Sequence, residues 1–329
     1  MRRIRAIAIT GPTASGKTSL SLEIAERIGG EIICLDSMQI YKKMDIGTAK
    51  ATKDEQARVR HHMLDFLSPS EPYSAHSYKQ DALRCAEEIA SRGKIPIFVG
   101  GTGLYLDTLR RRGDVEAPEA DVEYRDKILA SIKSEEDKIA LHQRLRELDE
   151  KSADAIHYNN VKRVIRALEI CERTDMPKSA LDELSALPDE RLDILHITLD
   201  FHNRDTLYKR ADERVLAMFR EGLADEALTL YHSGEFTKDA TARFAIGYKE
   251  IIDAYQLGKP LDDAIPIIQQ ATRNYAKRQL TWFRRDREAI RLYPDRSDGT
   301  LKTQEELCAE AFPIIEDFFT IKNNLHKED

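Results

Sequence analysis

Apolar residues in the first third of the chain fall in short runs, separated by longer stretches with helical spacing. Ile4–Thr10 is a run of β-branched and small apolar residues, followed by a glycine-rich turn at 11–18 and an amphipathic stretch at 19–28. That order predicts strand, loop and helix. Residues 32–35 and 95–99 are two more short apolar runs, each ending in polar or glycine-rich sequence, with helical patterns between them. Strands alternating with helices build βαβ units and a parallel sheet. From 117 to 186 the pattern becomes charged and helical without a strand signal. Another strand is expected at Leu192–Leu199, and sequence beyond 205 reads as mostly helical. The expected fold is α/β: a parallel sheet core with flanking helices at 1–116 and 187–322, a helical insertion domain at 117–186, and a frayed tail at 323–329.

Composition narrows the class. At 329 residues the chain is long enough for about two domains. No apolar run approaches the roughly 18 residues of a membrane span, so a soluble protein without a membrane partner is expected. Arg2, Arg3 and Arg5 interrupt the N-terminal apolar stretch, which makes a poor signal peptide. Cys34, Cys85, Cys171 and Cys308 are far apart and form no Cys-x-x-Cys pair, as expected of reduced thiols in a cytoplasmic protein. The net charge of −7 argues against a broadly basic nucleic-acid binder, but its distribution is uneven. Arg273, Lys277, Arg278, Arg284, Arg285 and Arg287 lie within one stretch beside a single acid, Asp286, with Tyr275, Trp282 and Phe283 interleaved. A basic surface on an acidic protein is a candidate binding face.

Gly11-Pro12-Thr13-Ala14-Ser15-Gly16-Lys17-Thr18 fits the phosphate-binding pattern G-x-x-x-x-G-K-[ST] at every fixed position, between an expected strand and an expected helix. The core is therefore read as P-loop NTPase-like. In such a loop backbone N–H groups and the helix N-terminus face phosphate oxygens, Lys17 reaches the terminal phosphate and Thr18 holds Mg²⁺. Whether the phosphate belongs to ATP or to another diphosphate is left open by the motif.

Asp36 ends the second apolar run, where it serves as a base, as a substrate-binding acid, or only as a turn and cap residue. Residues 100–105 carry Gly100, Gly101 and Gly103 but have Leu106 where a dinucleotide fingerprint needs glycine. The turn either brings backbone and Thr102 to a ligand or is an ordinary strand-to-helix connection. At 161–168, helical spacing puts Lys162, Arg163 and Arg166 on one arc and Val161, Val164, Ile165 and Leu168 on the other. The basic arc suits phosphate or plain solvent. Arg273, Lys277 and Arg284 are spaced for a second basic face, and Trp282 either stacks on a base or fills core. His61 and His62 have no zinc-like spacing to other ligands.

Together these residues resemble the bacterial tRNA dimethylallyltransferase (tRNA isopentenyltransferase) family through nearly the whole chain. The match includes 11–18, 36–41, 44–50, His61-His62, 71–74, 100–105, 163–169, 246–248 and 277–284. The resemblance implies a cytoplasmic, monomeric transferase of prenyl groups. Its reaction moves the dimethylallyl group of dimethylallyl diphosphate to the N6 amine of the adenosine immediately 3′ of the anticodon in tRNAs that read codons starting with U. It implies Asp36 as the general base, with Thr102 at the same centre, and Lys17 in the catalytic group. The phosphate loop and Arg214 would bind the diphosphate, Arg210 being the alternative, and Thr18 would bind Mg²⁺. It implies tRNA contacts at Asp36, Ser37, Met38, Gln39, Thr102, Arg125, Lys162, Arg163, Val164, Ile165, Arg166, Arg243, Gly247, Tyr248, Lys277, Arg278, Trp282 and Arg284. Departures from the family pattern are Ala51 for a usual proline, Tyr158 where His-Pro-Asn is common, and Asp175 for a usual glycine.

The chemistry is coherent with these assignments. An exocyclic adenine amine is a weak nucleophile that must be positioned and deprotonated as its C–N bond forms, and a departing diphosphate needs positive charge. Two rival readings use the same loop: a small-molecule P-loop kinase or adenylate prenyltransferase, and a non-catalytic RNA-binding protein. The basic arcs speak against the first, and Asp36 with Thr102 beside an intact loop against the second.

Overall fold

The computed structural model describes residues 3–112, 121–174, 176–237 and 240–324, the side chains of 321–324 excepted. Its strands are β1 (Ile4–Thr10), β2 (Gly30–Cys34), β3 (His61–His62), β4 (Ile95–Gly100), β5 (Leu192–Leu199) and β6 (Ile290–Leu292). They form one sheet in the order β3-β2-β4-β1-β5-β6, every neighbouring pair parallel. The parallel α/β core expected from the alternating pattern is therefore the one observed. β3 and β6 were not expected.

β1 lies inside the sheet, with Ile7 beside Ile97 of β4 and Leu195 of β5. Its alternate side chains feed two layers. Ile7 and Ile9 join Leu20, Ile24, Leu307 and Phe312 on one face, while Ala6 and Ala8 join Tyr78, Ala82, Phe98 and Leu106 on the other. A strand buried on both faces reads as a near-continuous apolar run, here broken only by Arg5 before Ala6–Ile9, which is why it was visible in sequence. Each fully buried isoleucine contributes about 1.5–3 kcal/mol of transfer free energy. Helix Lys17–Ile28 begins on the last two residues of the phosphate loop, its N-cap Gly16 at φ 93°, a conformation that suits a residue without Cβ.

The chain forms two compact units, Met1–Leu109 with Arg191–Asp329, and Arg110–Glu190. The first holds the sheet and a further apolar core. Helices Arg204–Arg220, Leu223–His232, Tyr248–Gln256 and Ala264–Phe283 meet there around Tyr41, Met44, Val215, Leu223, Ile252 and Ile268. The second unit is helical: Val122–Ser131, Glu135–Leu148, Glu150–Ala155, Val161–Thr174 and Lys178–Ser185, with a small core of Leu145, Ala153, Val164, Ala167 and Leu168.

This unit runs wider than the charged stretch at 117–186 because its ends are tied by backbone, not by helical pattern. Arg112 N–H donates to Leu187 O at 2.6 Å and Asp189 N–H to Arg110 O at 2.8 Å. The expected boundary at 117, Asp175 and residues 325–329 lie outside the described residues. Residues 323 and 324, expected in a frayed tail, belong to helix Gln304–Asn324. Among the described residues no helix is long and apolar enough to cross a membrane.

Candidate active site

Ligands of open parallel sheets bind beyond the carboxyl ends of the strands. The loops after β1, β2 and β4 open there onto a cavity of about 410 Å³. Thr13, Lys17 and Thr18 line it from the phosphate loop, Asp36, Ser37, Met38 and Gln39 from the second loop, and Gly100 and Gly101 from the third. Gly100 is irreplaceable by steric argument, since an added Cβ would lie 2.0 Å from Leu35 O. Helices of the same unit close the cavity with Arg214, Thr272, Tyr275 and Arg278, and with an apolar wall that includes Val215, Met218, Leu223, Phe244 and Ile268.

Lys17 Nζ donates to Pro12 O at 2.6 Å, which folds its side chain back along the loop. Burial and the nearby Arg214 push its pKa down to about 7, against the pull of Asp36. An anion bound beside it would restore the charged form. Of the two candidate arginines, Arg214 lines the cavity, whereas Arg210 turns to the loop itself, its Nε donating to Ala14 O at 2.8 Å.

Asp36 performs two tasks at once. One oxygen, Oδ1, accepts the N–H groups of Met38 at 2.9 Å and Gln39 at 3.4 Å, the turn role open to a strand-end aspartate. The residue nonetheless faces the cavity. Gln39 Nε2 in turn donates to Thr48 O and Ala49 O at 3.0 and 3.2 Å, holding the neighbouring loop. Glu226 braces that loop from below, accepting N–H groups of Asp45, Ile46 and Gly47.

Several of the expected site residues have specific partners within the protein. Thr102 Oγ1 accepts Ser37 N–H at 3.0 Å, so Thr102 steadies the Asp36 loop at one of its cavity residues. Tyr248 is fully buried, its hydroxyl donating to Glu226 at 2.6 Å, and Val164 and Ile165 are buried too. All three side chains pack into apolar cores. Trp282 is not a bare stacking platform, because its ring packs onto Gly103 and carries the Arg285 guanidinium 4.1 Å from its centroid.

The second basic cluster is not one helix face. Helix Ala264–Phe283 ends before Arg284. Arg284 instead grips the buried Asp200 with two bonds, at 2.9 and 2.6 Å, while Arg273 pairs with Asp212 at 2.6 Å. Lys277 is exposed and Arg278 reaches the cavity. Arg243 is half-buried in the 3-10 turn Thr241–Phe244, and Gly247 lines the cavity.

In the helical unit Lys162 and Arg163 are exposed. Arg125 and Arg166 both turn to Glu169. Burial raises the Glu169 pKa, but the Asp121 N–H and the two arginines outweigh it and hold the carboxyl below its ordinary range. Tyr158 donates to Glu135 at 2.7 Å. His62 pairs with Glu31 at 2.6 Å, and among the described residues no group of three His, Cys, Asp or Glu side chains could hold a metal.

Sequence reasoning overlooked Gln279. Gln279 is buried within a basic stretch and joins two loops of the site: its Oε1 accepts Thr13 N–H at 2.8 Å and its Nε2 donates to Gly101 O at 2.9 Å. The available signal was an amide residue on the inward side of an otherwise cationic helix.

Residues 39–286 match the family model described as IPP transferase, and residues 4–70 match one described as isopentenyl transferase. The chain belongs to the IPP transferase family. As a member of that family it is 42% identical over 303 residues to the tRNA dimethylallyltransferase of Acetivibrio thermocellus, which covers 92% of this chain and 95% of that protein. Its fold is similar to that of the full-length tRNA isopentenylpyrophosphate transferase of Bacillus halodurans, with a TM-score of 0.71, 38% identity, and 99% of this chain and 100% of that chain covered. It is also similar to a eukaryotic dimethylallyltransferase crystallised in the course of acting on tRNA, with a TM-score of 0.80, 28% identity, and 96% and 80% of the two chains covered.

Proposed function

We propose that the chain transfers the dimethylallyl group of dimethylallyl diphosphate to N6 of the adenosine immediately 3′ of the anticodon, in tRNAs that read codons starting with U. The products are N6-(dimethylallyl)adenosine and diphosphate. The observation that carries this reading is a single cavity lined by Lys17 and Arg214, by the carboxylate of Asp36, and by apolar side chains including Val215, Met218 and Ile268. Cations suit a diphosphate, the apolar wall a short hydrocarbon, and the carboxylate an amine that must lose a proton.

In the transfer the N6 nitrogen bonds to the prenyl carbon as the carbon–oxygen bond to diphosphate breaks, and Asp36 takes the N6 proton. Lys17, Arg214 and the amides of the phosphate loop stabilise the charge that grows on the departing diphosphate. The donor set fits Mg²⁺ held chiefly by diphosphate oxygens, with Thr18 offering a hydroxyl at the cavity. Mg²⁺ would supply further charge neutralisation when bound. Thr102 contributes by fixing the Asp36 loop through Ser37.

For tRNA, Ser37, Met38, Gln39, Arg243, Gly247 and Arg278 are contact candidates at or beside the cavity, and Lys162, Arg163 and Lys277 are exposed cations suited to phosphates. The substrate pair and four unpaired cysteines support a cytoplasmic setting. The reading is tested by following products: diphosphate should appear in step with prenylated nucleoside, without ATP being consumed. A strict ATP requirement would overturn it.

A further inference from the structure

We infer that Gln279 and Arg210 are positioning residues that hold the phosphate loop ready for diphosphate by pinning Ala14 in a left-handed backbone conformation. The inference rests on the diphosphate reading of the site. Ala14 has φ 62°, in the region that disfavours any residue with a Cβ. Such a conformation persists only where the surroundings impose it.

Here two side chains grip the backbone on either side. Gln279 Oε1 accepts the Thr13 N–H at 2.8 Å, and Arg210 Nε donates to the Ala14 carbonyl at 2.8 Å. Both come from outside the loop, on helices Ala264–Phe283 and Arg204–Arg220.

Gln279 is itself constrained. Its residue is 5% exposed and its Nε2 donates to Gly101 O at 2.9 Å. Turning the amide over would set its oxygen against the Gly101 carbonyl and its NH₂ against the Thr13 N–H. The oxygen therefore stays on Thr13. The consequence is a division of labour along the loop: Thr13 N–H and Ala14 O are spent on the scaffold, which leaves the amides beyond them and the Lys17 ammonium for phosphate oxygens. A plain packing role for Gln279 would require none of this coupling to Ala14.

The two accounts separate in a double-mutant cycle on the full-length chain. Calorimetry with inorganic diphosphate and Mg²⁺ would be run on wild type, Gln279→Met, Ala14→Gly and the double variant, with thermal unfolding recorded for each. Gln279→Met should weaken diphosphate binding about tenfold, the scale of a lost buried hydrogen bond. With Ala14→Gly present, the same change should cost less than about threefold, because glycine holds a positive φ unaided. Arg210→Met, on the other flank, gives the same comparison should Gln279→Met fail to fold. Equal losses with and without Ala14→Gly, or no loss from Gln279→Met in a wild type that binds diphosphate, would overturn the inference alone. A folded wild type that binds no diphosphate would overturn the reading of the site, and the inference with it.

Discussion

Arg166 donates to the buried carboxylate of Glu169 at 2.7 Å. Arg125 donates from Nε and Nη2 to the same oxygen, at 2.9 and 2.7 Å. The basic arc of helix Val161–Thr174 is thus divided between cations turned to solvent and cations committed to a buried anion. Neutralising Lys162 and Arg163 together should flatten the salt dependence of tRNA binding, lowering the log–log slope by about 1.5, since each phosphate contact releases condensed counterion. A parallel line would remove these residues from the RNA face. Arg166→Ala should instead cost about 1–3 kcal/mol of stability, because it leaves Glu169 short of a partner. Chemical denaturation gives that number, and an unchanged midpoint would show the pair to be dispensable.

Lys17 links function to pH through folding. Its pKa in the folded chain, about 7, lies below the ordinary 10.5. Between those values the unfolded chain binds a proton that the folded chain does not, so stability rises as pH climbs through that window. Lys17→Met removes this partly desolvated charge. It should therefore raise the melting temperature by about 2–5 °C at pH 6, with the advantage shrinking as pH rises above 7, while diphosphate binding is lost. A variant less stable than wild type at pH 6 would contradict the assignment.

Asp36→Asn separates the two tasks of that residue. The amide oxygen can still accept the Met38 N–H, now at 2.9 Å, but it cannot take a proton from an amine. Turnover should fall about 10²- to 10⁴-fold, with tRNA and diphosphate affinities nearly unchanged. Wild-type turnover in this variant would move the base elsewhere.

Much of the core was legible because burial leaves a mark where strands are covered on both faces. Ile4–Thr10 and Leu192–Leu199 were bounded correctly by their apolar runs. β3 and β6 were not, since two and three residues at the sheet edges are too short for a period. Within the site, the phosphate loop declared itself by glycine spacing. Gln279 did not, because its burial comes from helix packing and its partners, Thr13 and Gly101, lie far away in sequence. The helix face expected from Arg273, Lys277 and Arg284 is interrupted for a related reason: the helix ends at Phe283, and Asp200, the partner of Arg284, lies far away in sequence. Val164 and Ile165 sit on the apolar arc of their own helix, so their burial was already implied by its periodicity.

The central claim is the chemistry itself. Unmodified tRNA incubated with the protein, dimethylallyl diphosphate and Mg²⁺, then digested to nucleosides and weighed by mass spectrometry, tests it most directly. The cavity lined by Lys17, Arg214 and Asp36 predicts one new nucleoside, adenosine heavier by a dimethylallyl group, arising from the position 3′ of the anticodon and missing when Asp36→Asn replaces wild type. Adenosine of unchanged mass after full incubation with folded protein, or the prenyl group found on free adenine nucleotide and not on tRNA, would contradict it.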